Sequence, residues 1–111
     1  MLRIEYNDPS LVLGDRTTDW GSGIYFLNGN LFTGVKTFHN KITQVLEAEY
    51  EYKDGVFDGR QAEYWSNGNL KEEYFQKYDY NIGAFKRWNE QGNLISYQEF
   101  DQFGNWVKTI L

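Results

Sequence analysis

One pattern of residue types occurs twice in this chain, about 24 positions apart. GRQAEYWSNGNL occupies residues 59–70 and GAFKRWNEQGNL occupies residues 83–94. Each runs from glycine through polar residues to an aromatic side chain and closes on Gly-Asn-Leu. Related copies lie at residues 25–34 (YFLNGNLFTG), at residues 100–108 (FDQFGNWVK) and, without a turn glycine, around Asn40-Lys41. Such a period is typical of repeat proteins, in which a unit cannot bury its apolar face alone and packs on its neighbours.

Each copy carries the signal of a β-hairpin. In the copies at residues 25–34 and 59–70 the turn dipeptide is Asn-Gly, which best supplies the two positive φ angles of a type I′ turn. The flanking segments loosely alternate aromatic and polar residues, as short half-buried strands do. We therefore predict an all-β fold, an antiparallel sheet built from about four hairpin units of roughly 24 residues. The predicted structural turns are centred on Gly29, Gly68, Gly92 and Gly104.

We expect one domain over residues 1–111, with an irregular N-terminal strand region at residues 1–22 and the hairpin repeats at residues 23–108. In the N-terminal region, LRIEY and LVL are predicted strands joined by a turn at Asp8-Pro9, and residues 15–23 are a predicted loop. Residues 41–52 have two interpretations. Apolar residues at helical spacing favour a helix, whereas alignment with the following copies favours a strand.

The composition excludes several classes of function. Sixteen acidic against eleven basic side chains give a net charge of -5, so a nucleic-acid backbone is an unfavourable partner. The chain has no cysteine, which excludes disulfides, thiol nucleophiles and thiolate metal sites. Its start is polar where a signal peptide needs an apolar run, and no stretch approaches the roughly 18 apolar residues of a membrane span. We therefore expect a soluble, cytoplasmic protein.

No residue pattern points to catalysis or to a bound cofactor. His39 is the only histidine and has no carboxylates at a metal-ligand spacing, so we expect a partly exposed turn residue. Glu63 and Glu72 face each other across the Asn67-Gly68 turn if that loop has two residues. Such a pair could be the acid and base of a glycoside hydrolase, or part of a solvated face. The solvated face is favoured, and we predict no enzyme activity, no cofactor and no metal.

The recurring pattern Gly-x4-aromatic-x3-Gly-Asn-Leu resembles the variant MORN repeat. YFLNGNLFTGVKTF followed by YKDGVFDGRQAEYWSNGNLKEEY is similar to a group of bacterial proteins built from these repeats. That group is labelled as the antitoxins of toxin–antitoxin pairs or as immunity proteins of secreted toxins. The resemblance covers residues 20–108. It implies a ladder of β-hairpins with a toxin as protein partner, and it implies no catalytic residues.

Charge indicates where a partner could bind. Acidic side chains outnumber basic ones between residues 47 and 73, beside several aromatic residues. Opposite charge steers the encounter with a basic partner, and aromatic side chains supply desolvated anchors. The alternative is an acidic solvated edge that keeps a sheet from pairing with other chains. The candidate partner-binding residues are Glu49, Glu51, Asp54, Asp58, Glu63, Glu72, Trp65, Tyr78 and Tyr80, the last three because they break the repeat.

These observations predict a non-catalytic module that binds a basic toxin and occludes its substrate groove, as an antitoxin or immunity protein would. The alternative is a MORN-type scaffold that docks to a membrane surface or an envelope assembly. Anionic headgroups attract clustered positive charge, which is sparse here, so this alternative is less favoured. A carbohydrate-binding sheet with exposed Trp and Tyr is a third interpretation. An open sheet also has edges, through which two copies could join as a homodimer.

Overall fold

The computed structural model describes all of residues 1–111, and the fold is all-β. Strands account for 61% of the chain, no helix is present, and antiparallel pairing dominates, as predicted. Accordingly, no helix has the length and apolarity needed to span a membrane. The strands are β1 (Arg3–Glu5), β2 (Leu11–Thr17), β3 (Gly23–Leu27), β4 (Asn30–Leu31), β5 (Gly34–His39), β6 (Leu46–Lys53), β7 (Val56–Tyr64), β8 (Leu70–Lys77), β9 (Tyr80–Trp88), β10 (Leu94–Phe100) and β11 (Trp106–Thr109).

The strands form two sheets, whereas the repeat predicted one. Eight strands form a sheet in the order β1-β5-β6-β7-β8-β9-β10-β11, in which each strand from β5 onward is antiparallel to the next. β1 joins the edge parallel to β5, with Arg3 opposite Val35. The hairpin of β3 and β4 pairs with β2 in a separate three-stranded sheet. The prediction of one antiparallel sheet is therefore wrong in the N-terminal part of the chain.

The buried core lies where the three-stranded sheet packs on the eight-stranded one. Leu11, Phe32 and Tyr52 form its centre, surrounded by half-buried residues of both sheets. The sheets also share backbone hydrogen bonds, since the Tyr25 N–H donates to the Gly55 carbonyl at 2.9 Å and the Gly55 N–H donates to the Phe32 carbonyl at 2.7 Å. Folding the first hairpin onto this aromatic surface removes apolar area from water that a flat, single-layer sheet would leave exposed.

Two-residue turns join β6 to β7 and β8 to β9. Asp54 and Gly55 have φ of 50° and 85°, and Tyr78 and Asp79 have φ of 43° and 70°, so both pairs have the positive φ angles of a type I′ turn. The second turn contains no glycine and was not foreseen in the sequence. The Thr18 hydroxyl, from the loop after β2, donates to the Asp79 carboxylate at 2.7 Å. This tertiary contact helps to offset the cost of the left-handed backbone.

Five residues separate β7 from β8, β9 from β10 and β10 from β11, which corrects the two-residue turn expected at Asn67-Gly68. The Trp65 N–H donates to the Asn69 carbonyl at 2.8 Å, and the Gly68 N–H donates to the Trp65 carbonyl at 2.9 Å. This is a type I turn followed by one left-handed residue, so only the glycine needs positive φ. The predicted turn glycines have φ of 84° (Gly29), 89° (Gly68), 91° (Gly92) and 85° (Gly104).

For residues 41–52, the interpretation as a strand is confirmed from Leu46 onward, where β6 begins. The residues before it form a loop rather than a helix. The Asn40 carboxamide oxygen accepts a hydrogen bond from the Thr43 N–H at 3.0 Å, which closes the first part of the loop. Gln44 then adopts a φ of 65°, the conformation that a glycine more readily supplies.

The predicted loop at residues 15–23 is too long at both ends. β2 continues to Thr17, which pairs with Gly23, the first residue of β3, and a register shift after Leu13 accommodates the extra residues. Residues 1–22 thus contribute one strand to each sheet. The N-terminal region belongs to the same framework as the hairpins that follow it.

Candidate partner-binding surface

The central acidic residues are divided between the two faces of the eight-stranded sheet. Successive side chains of a strand point to opposite faces, so Ala62 and Glu63 lie on different faces. Glu49 is opposite Ala62 in the register, and Glu63 is opposite Glu72. The candidate acids therefore do not form one cluster. We name the side that carries Glu49, Glu51, Arg60 and Glu73 the Arg60 face, and the side that carries Tyr50, Glu63, Glu72 and Tyr74 the Glu63 face.

The Arg60 face is an internally paired network. Arg60 donates to Glu49 at 2.9 Å and to Glu73 at 2.6 Å. Arg3 donates to the other oxygen of Glu49 at 2.7 Å, and the Tyr64 hydroxyl also donates to Glu49. Burial alone would raise the pKa of Glu49, but hydrogen bonds from Tyr64, Arg3 and Arg60 outweigh it and hold this pKa below its usual value. The charge of Glu49 is thus already compensated within the chain.

Glu51, on the same face, has a structural contact as well. Its carboxylate accepts a hydrogen bond from the backbone N–H of Arg60 at 3.2 Å. The carboxylate lies against Gly59, where a Cβ would overlap with it and where φ is 103°. β7 bulges at this point, and the bulge presents the backbone amide to the carboxylate. Glu51 therefore stabilises the bulge rather than standing free for a partner.

Glu63 faces another carboxylate and makes no ion pair. Glu72 accepts a hydrogen bond from Arg87 at 2.8 Å, whereas the ion pairs of the chain do not include Glu63. Burial raises the pKa of Glu63, the hydrogen bond and negative charge of Glu72 raise it further, and the positive charges of Lys71 and Arg87 offset only part of this rise. Burial and the charges of Glu63 and Glu72 raise the pKa of Tyr50 to about 12, so its hydroxyl stays neutral at physiological pH.

Two shallow depressions open on the Glu63 face and share Glu63 and Lys71. The first, named the Tyr50 depression, has a volume of about 290 Å³ and is also lined by Phe38, Glu47, Ala48, Tyr50 and Tyr64. The second, named the Trp65 depression, has a volume of about 350 Å³ and is also lined by Trp65, Glu72, Arg87, Trp88 and Ile95. The ammonium of Lys71 lies 4.8 Å from the centre of the Trp65 ring, a cation–π distance.

The remaining candidate residues lie at the other end of β7 from Glu63. Asp54 is exposed in the turn between β6 and β7. Asp58 accepts a hydrogen bond from the Tyr78 N–H at 3.1 Å, and Tyr78 is 54% exposed. Tyr80 lies beside Trp20, with 6.5 Å between ring centroids. The structure therefore brings Trp65 together with Glu63 and Glu72, and it places these four residues in a separate region.

His39 is not the turn residue expected from its sequence position. It is the last residue of β5, and its Nδ1 lies 2.6 Å from a carboxylate oxygen of Glu5 in β1. The His39 backbone N–H donates to the other oxygen at 2.9 Å. Burial alone would raise the pKa of Glu5, but the hydrogen bonds from His39 outweigh it and lower this pKa. His39 thus stabilises the pairing of the parallel edge strand β1 with β5. No group of three or more His, Asp or Glu side chains in the structure could hold a metal ion.

The sequence did not reveal which basic residues form ion pairs with the acidic ones. Arg3 and Arg60 are distant from Glu49 in the chain, and only the strand register brings them together. The alternation of Glu and Tyr in EAEYEY places the glutamates of β6 on one face and its tyrosines on the other, but it does not show on which face the acids of β7 and β8 lie. Glu47 lines a depression on the Glu63 face although it alternates with Glu49, at the end of β6 where the register shifts.

The arrangement on the Glu63 face can bind positive charge. A carboxylate that makes no ion pair, next to a neutral phenol and aromatic rings, attracts ammonium and guanidinium groups through hydrogen bonds and cation–π contacts. The Arg60 face cannot do this without breaking ion pairs that the chain already makes. No protein-family model, curated protein or solved structure matches the chain.

Proposed function

We propose that this protein is a non-catalytic binding module that neutralises a basic bacterial toxin, as an antitoxin or immunity protein does, by covering the substrate groove of the toxin. The observation that carries the proposal is Glu63, a partly buried carboxylate that makes no ion pair and has a raised pKa, on an open sheet face rich in aromatic side chains. A basic side chain of a partner would relieve the charge repulsion between Glu63 and Glu72. Association with a positively charged surface is thereby favoured.

In this proposal, the hairpins of β7–β8 and β9–β10 are successive MORN-like repeat units, and the hairpin of β10–β11 is a shortened one. The repeated opening glycines, Gly59 and Gly83, both have positive φ, at 103° and 65°. The molecule that contains these hairpins has two longer extents of 42 and 38 Å, and the three-stranded sheet packs on part of the eight-stranded one.

The positions of Glu63 and Glu72 favour binding over acid–base catalysis. They lie directly opposite on adjacent antiparallel strands, so both side chains leave the same face of the sheet. A glycoside hydrolase instead places its two carboxyl groups on either side of the scissile bond. Glu72 is also occupied by Arg87. We therefore assign the pair to partner recognition.

The test begins with a pull-down by the tagged chain from lysate of its native cells, read by mass spectrometry. The proposal predicts one basic protein in stoichiometric amount. That protein should stop growth when it is expressed alone and permit growth when it is expressed with this chain. Recovery of lipids, of envelope proteins, or of nothing above background would contradict the proposal, and the first two would favour the scaffold alternative.

Charge reversal connects this test to the Glu63 face. Changing Glu63→Lys and Glu72→Lys together should abolish the rescue of growth, because the face would then repel a basic partner. The control is Glu90→Lys, at an exposed position in the loop between β9 and β10, which should preserve the rescue. Equal rescue by both variants would remove the Glu63 face from the proposal.

A further inference from the structure

We propose that the Tyr50 depression is an anchor site for a single arginine side chain of a protein partner, whose guanidinium group pairs with the carboxylates of Glu47 and Glu63. The inference rests on the proposed binding function and names the chemistry that this face recognises. Its basis is that two acidic residues, Glu47 and Glu63, and two aromatic residues, Phe38 and Tyr50, line one depression. Each of these groups interacts favourably with a guanidinium.

The size of the Tyr50 depression favours one side chain. Its volume of about 290 Å³ lies just below the range of roughly 300–1,000 Å³ that small-molecule sites occupy. It also opens on a broad sheet face rather than in an enclosed cleft. A side chain that projects from a protein surface can enter such a depression while the surrounding faces make contact. A free metabolite would leave much of its surface in water.

The charge around the depression calls for a cation. Lys71 is the cation that lines it, and its ammonium lies over the Trp65 ring. Lys36 is buried close by, with its ammonium 4.1 Å from the centre of the Tyr25 ring and 5.4 Å from the centre of the Phe38 ring, and it does not line the depression. Glu63 is partly buried, and a carboxylate in that setting is stabilised by a hydrogen-bonded positive charge.

Arginine fits these groups better than lysine does. A guanidinium is planar, so it can stack on an aromatic ring while its edge donates two parallel hydrogen bonds to a carboxylate. It is also less strongly hydrated than an ammonium, which lowers the cost of entering a half-buried site. A lysine ammonium would act as a point charge and could not use the rings and both carboxylates in the same way.

The test uses the full chain and three tripeptides, Gly-Arg-Gly, Gly-Lys-Gly and the neutral isostere Gly-citrulline-Gly, each blocked at both ends. Binding is followed by backbone amide NMR shifts at Phe38, Tyr50 and Glu63. We expect saturable shifts with the arginine peptide at a dissociation constant of about 1 mM. The lysine peptide should bind at least about threefold more weakly, and the citrulline peptide should cause no saturable shift.

Three variants locate the site. Glu63→Gln should weaken binding of the arginine peptide about tenfold, and Glu47→Gln, at an exposed position, should weaken it less. Glu90→Gln makes the same charge change on the loop between β9 and β10 and should leave binding unchanged. Three results would overturn the inference. They are equal binding of the three peptides, binding of the arginine peptide that is unchanged in Glu63→Gln, or no saturable shift at peptide concentrations below about 10 mM.

The outcome separates this inference from the proposed function. If the chain prefers the arginine peptide but does not rescue cells from a toxin, the anchor site is supported and the toxin proposal is contradicted. If the chain rescues growth through Glu63 but does not distinguish the three peptides, the toxin proposal is supported and the anchor site is contradicted.

Discussion

Glu49 and Glu63 lie on adjacent strands of one sheet and are separated by a single step in the register, yet their surroundings are opposite. Glu49 receives hydrogen bonds from two arginines and a tyrosine, which lower its pKa. Glu63 is half-buried against another carboxylate, and its pKa is raised. The difference separates an acid that stabilises the fold from an acid that makes no ion pair within the chain. Residue type and sequence position alone do not distinguish the two.

The largest expected change in stability comes from removing Arg60, the cation at the centre of the Arg60 face. Arg60→Ala leaves Glu49 and Glu73, whose side chains are 14% and 23% exposed, without their shared partner. We expect the free energy of unfolding in urea to fall by about 2 kcal/mol, below the 3–5 kcal/mol of a fully buried pair because Arg60 is partly solvated.

Arg87→Ala is the matched control on the Glu63 face. The Arg87 side chain is 58% exposed, so its loss should cost only about 0.5 kcal/mol. Equal losses for the two arginine variants would mean that the Arg60 network is no more important to the fold than an ordinary surface pair.

A smaller effect is expected at the bulge that holds Glu51. Gly59→Ala would place a methyl group in the carboxylate of Glu51 and would force alanine to adopt positive φ, so we expect a loss of about 2 kcal/mol or slightly less. Gly68→Ala also forces alanine to adopt positive φ, but no atom beyond those of its chain neighbours lies within 4 Å of the added methyl group, so this variant should lower the free energy of unfolding by about 1 kcal/mol. The difference in unfolding free energy between the variants measures the Glu51 contact. No difference would show that Glu51 does not pack on this bulge in solution.

Neutralising each glutamate should change stability in opposite directions at pH 7. Glu49→Gln loses charge-assisted hydrogen bonds and should lower the free energy of unfolding by about 1 kcal/mol. Glu63→Gln removes a repulsion between directly opposed like charges and should raise it by about 0.5 kcal/mol. Urea unfolding of both variants beside the unchanged chain measures these values. A loss at Glu63 as large as that at Glu49 would contradict the comparison.

The pH dependence of these two effects follows from the directions of the pKa shifts. The pKa of Glu49 is lowered in the fold, so its stabilisation is present above its unfolded pKa and is lost as pH falls through the folded value. The pKa of Glu63 is raised, so its unfavourable charge is present at neutral pH and disappears as pH falls through the folded value. Both variants should therefore approach the stability of the unchanged chain at acidic pH, where these carboxyl groups are protonated.

The all-β class could be predicted because its signals are local. Turn glycines and loosely alternating aromatic residues act over a few positions, and Gly68 and Gly92 illustrate that pattern. The turn at Tyr78-Asp79 could not be predicted in this way, because both residues adopt positive φ without glycine and the loop after β2 holds Asp79 in place. That support comes from residues that are distant in the chain.

The assignment of acids to faces was beyond sequence reasoning for a related reason. A bulge of one residue moves every following side chain to the other face, and β7 carries register shifts near both of its ends. Glu51 and Glu63 were therefore grouped in one acidic surface, although they lie on opposite faces. The separate position of the first hairpin, outside the eight-stranded sheet, could not be predicted either, because its packing on the aromatic face depends on contacts between distant segments.

The most direct test of the central claim is a carboxyl-carbon NMR titration of the unchanged chain, in which Glu49 and Glu63 are followed in one sample. The account predicts that Glu49 titrates below the usual glutamate pKa of about 4.3 and that Glu63 titrates above it. If the two carboxyl groups titrate together, or in the reverse order, Glu63 is not the uncompensated acid of this sheet and the proposed binding face has no electrostatic basis.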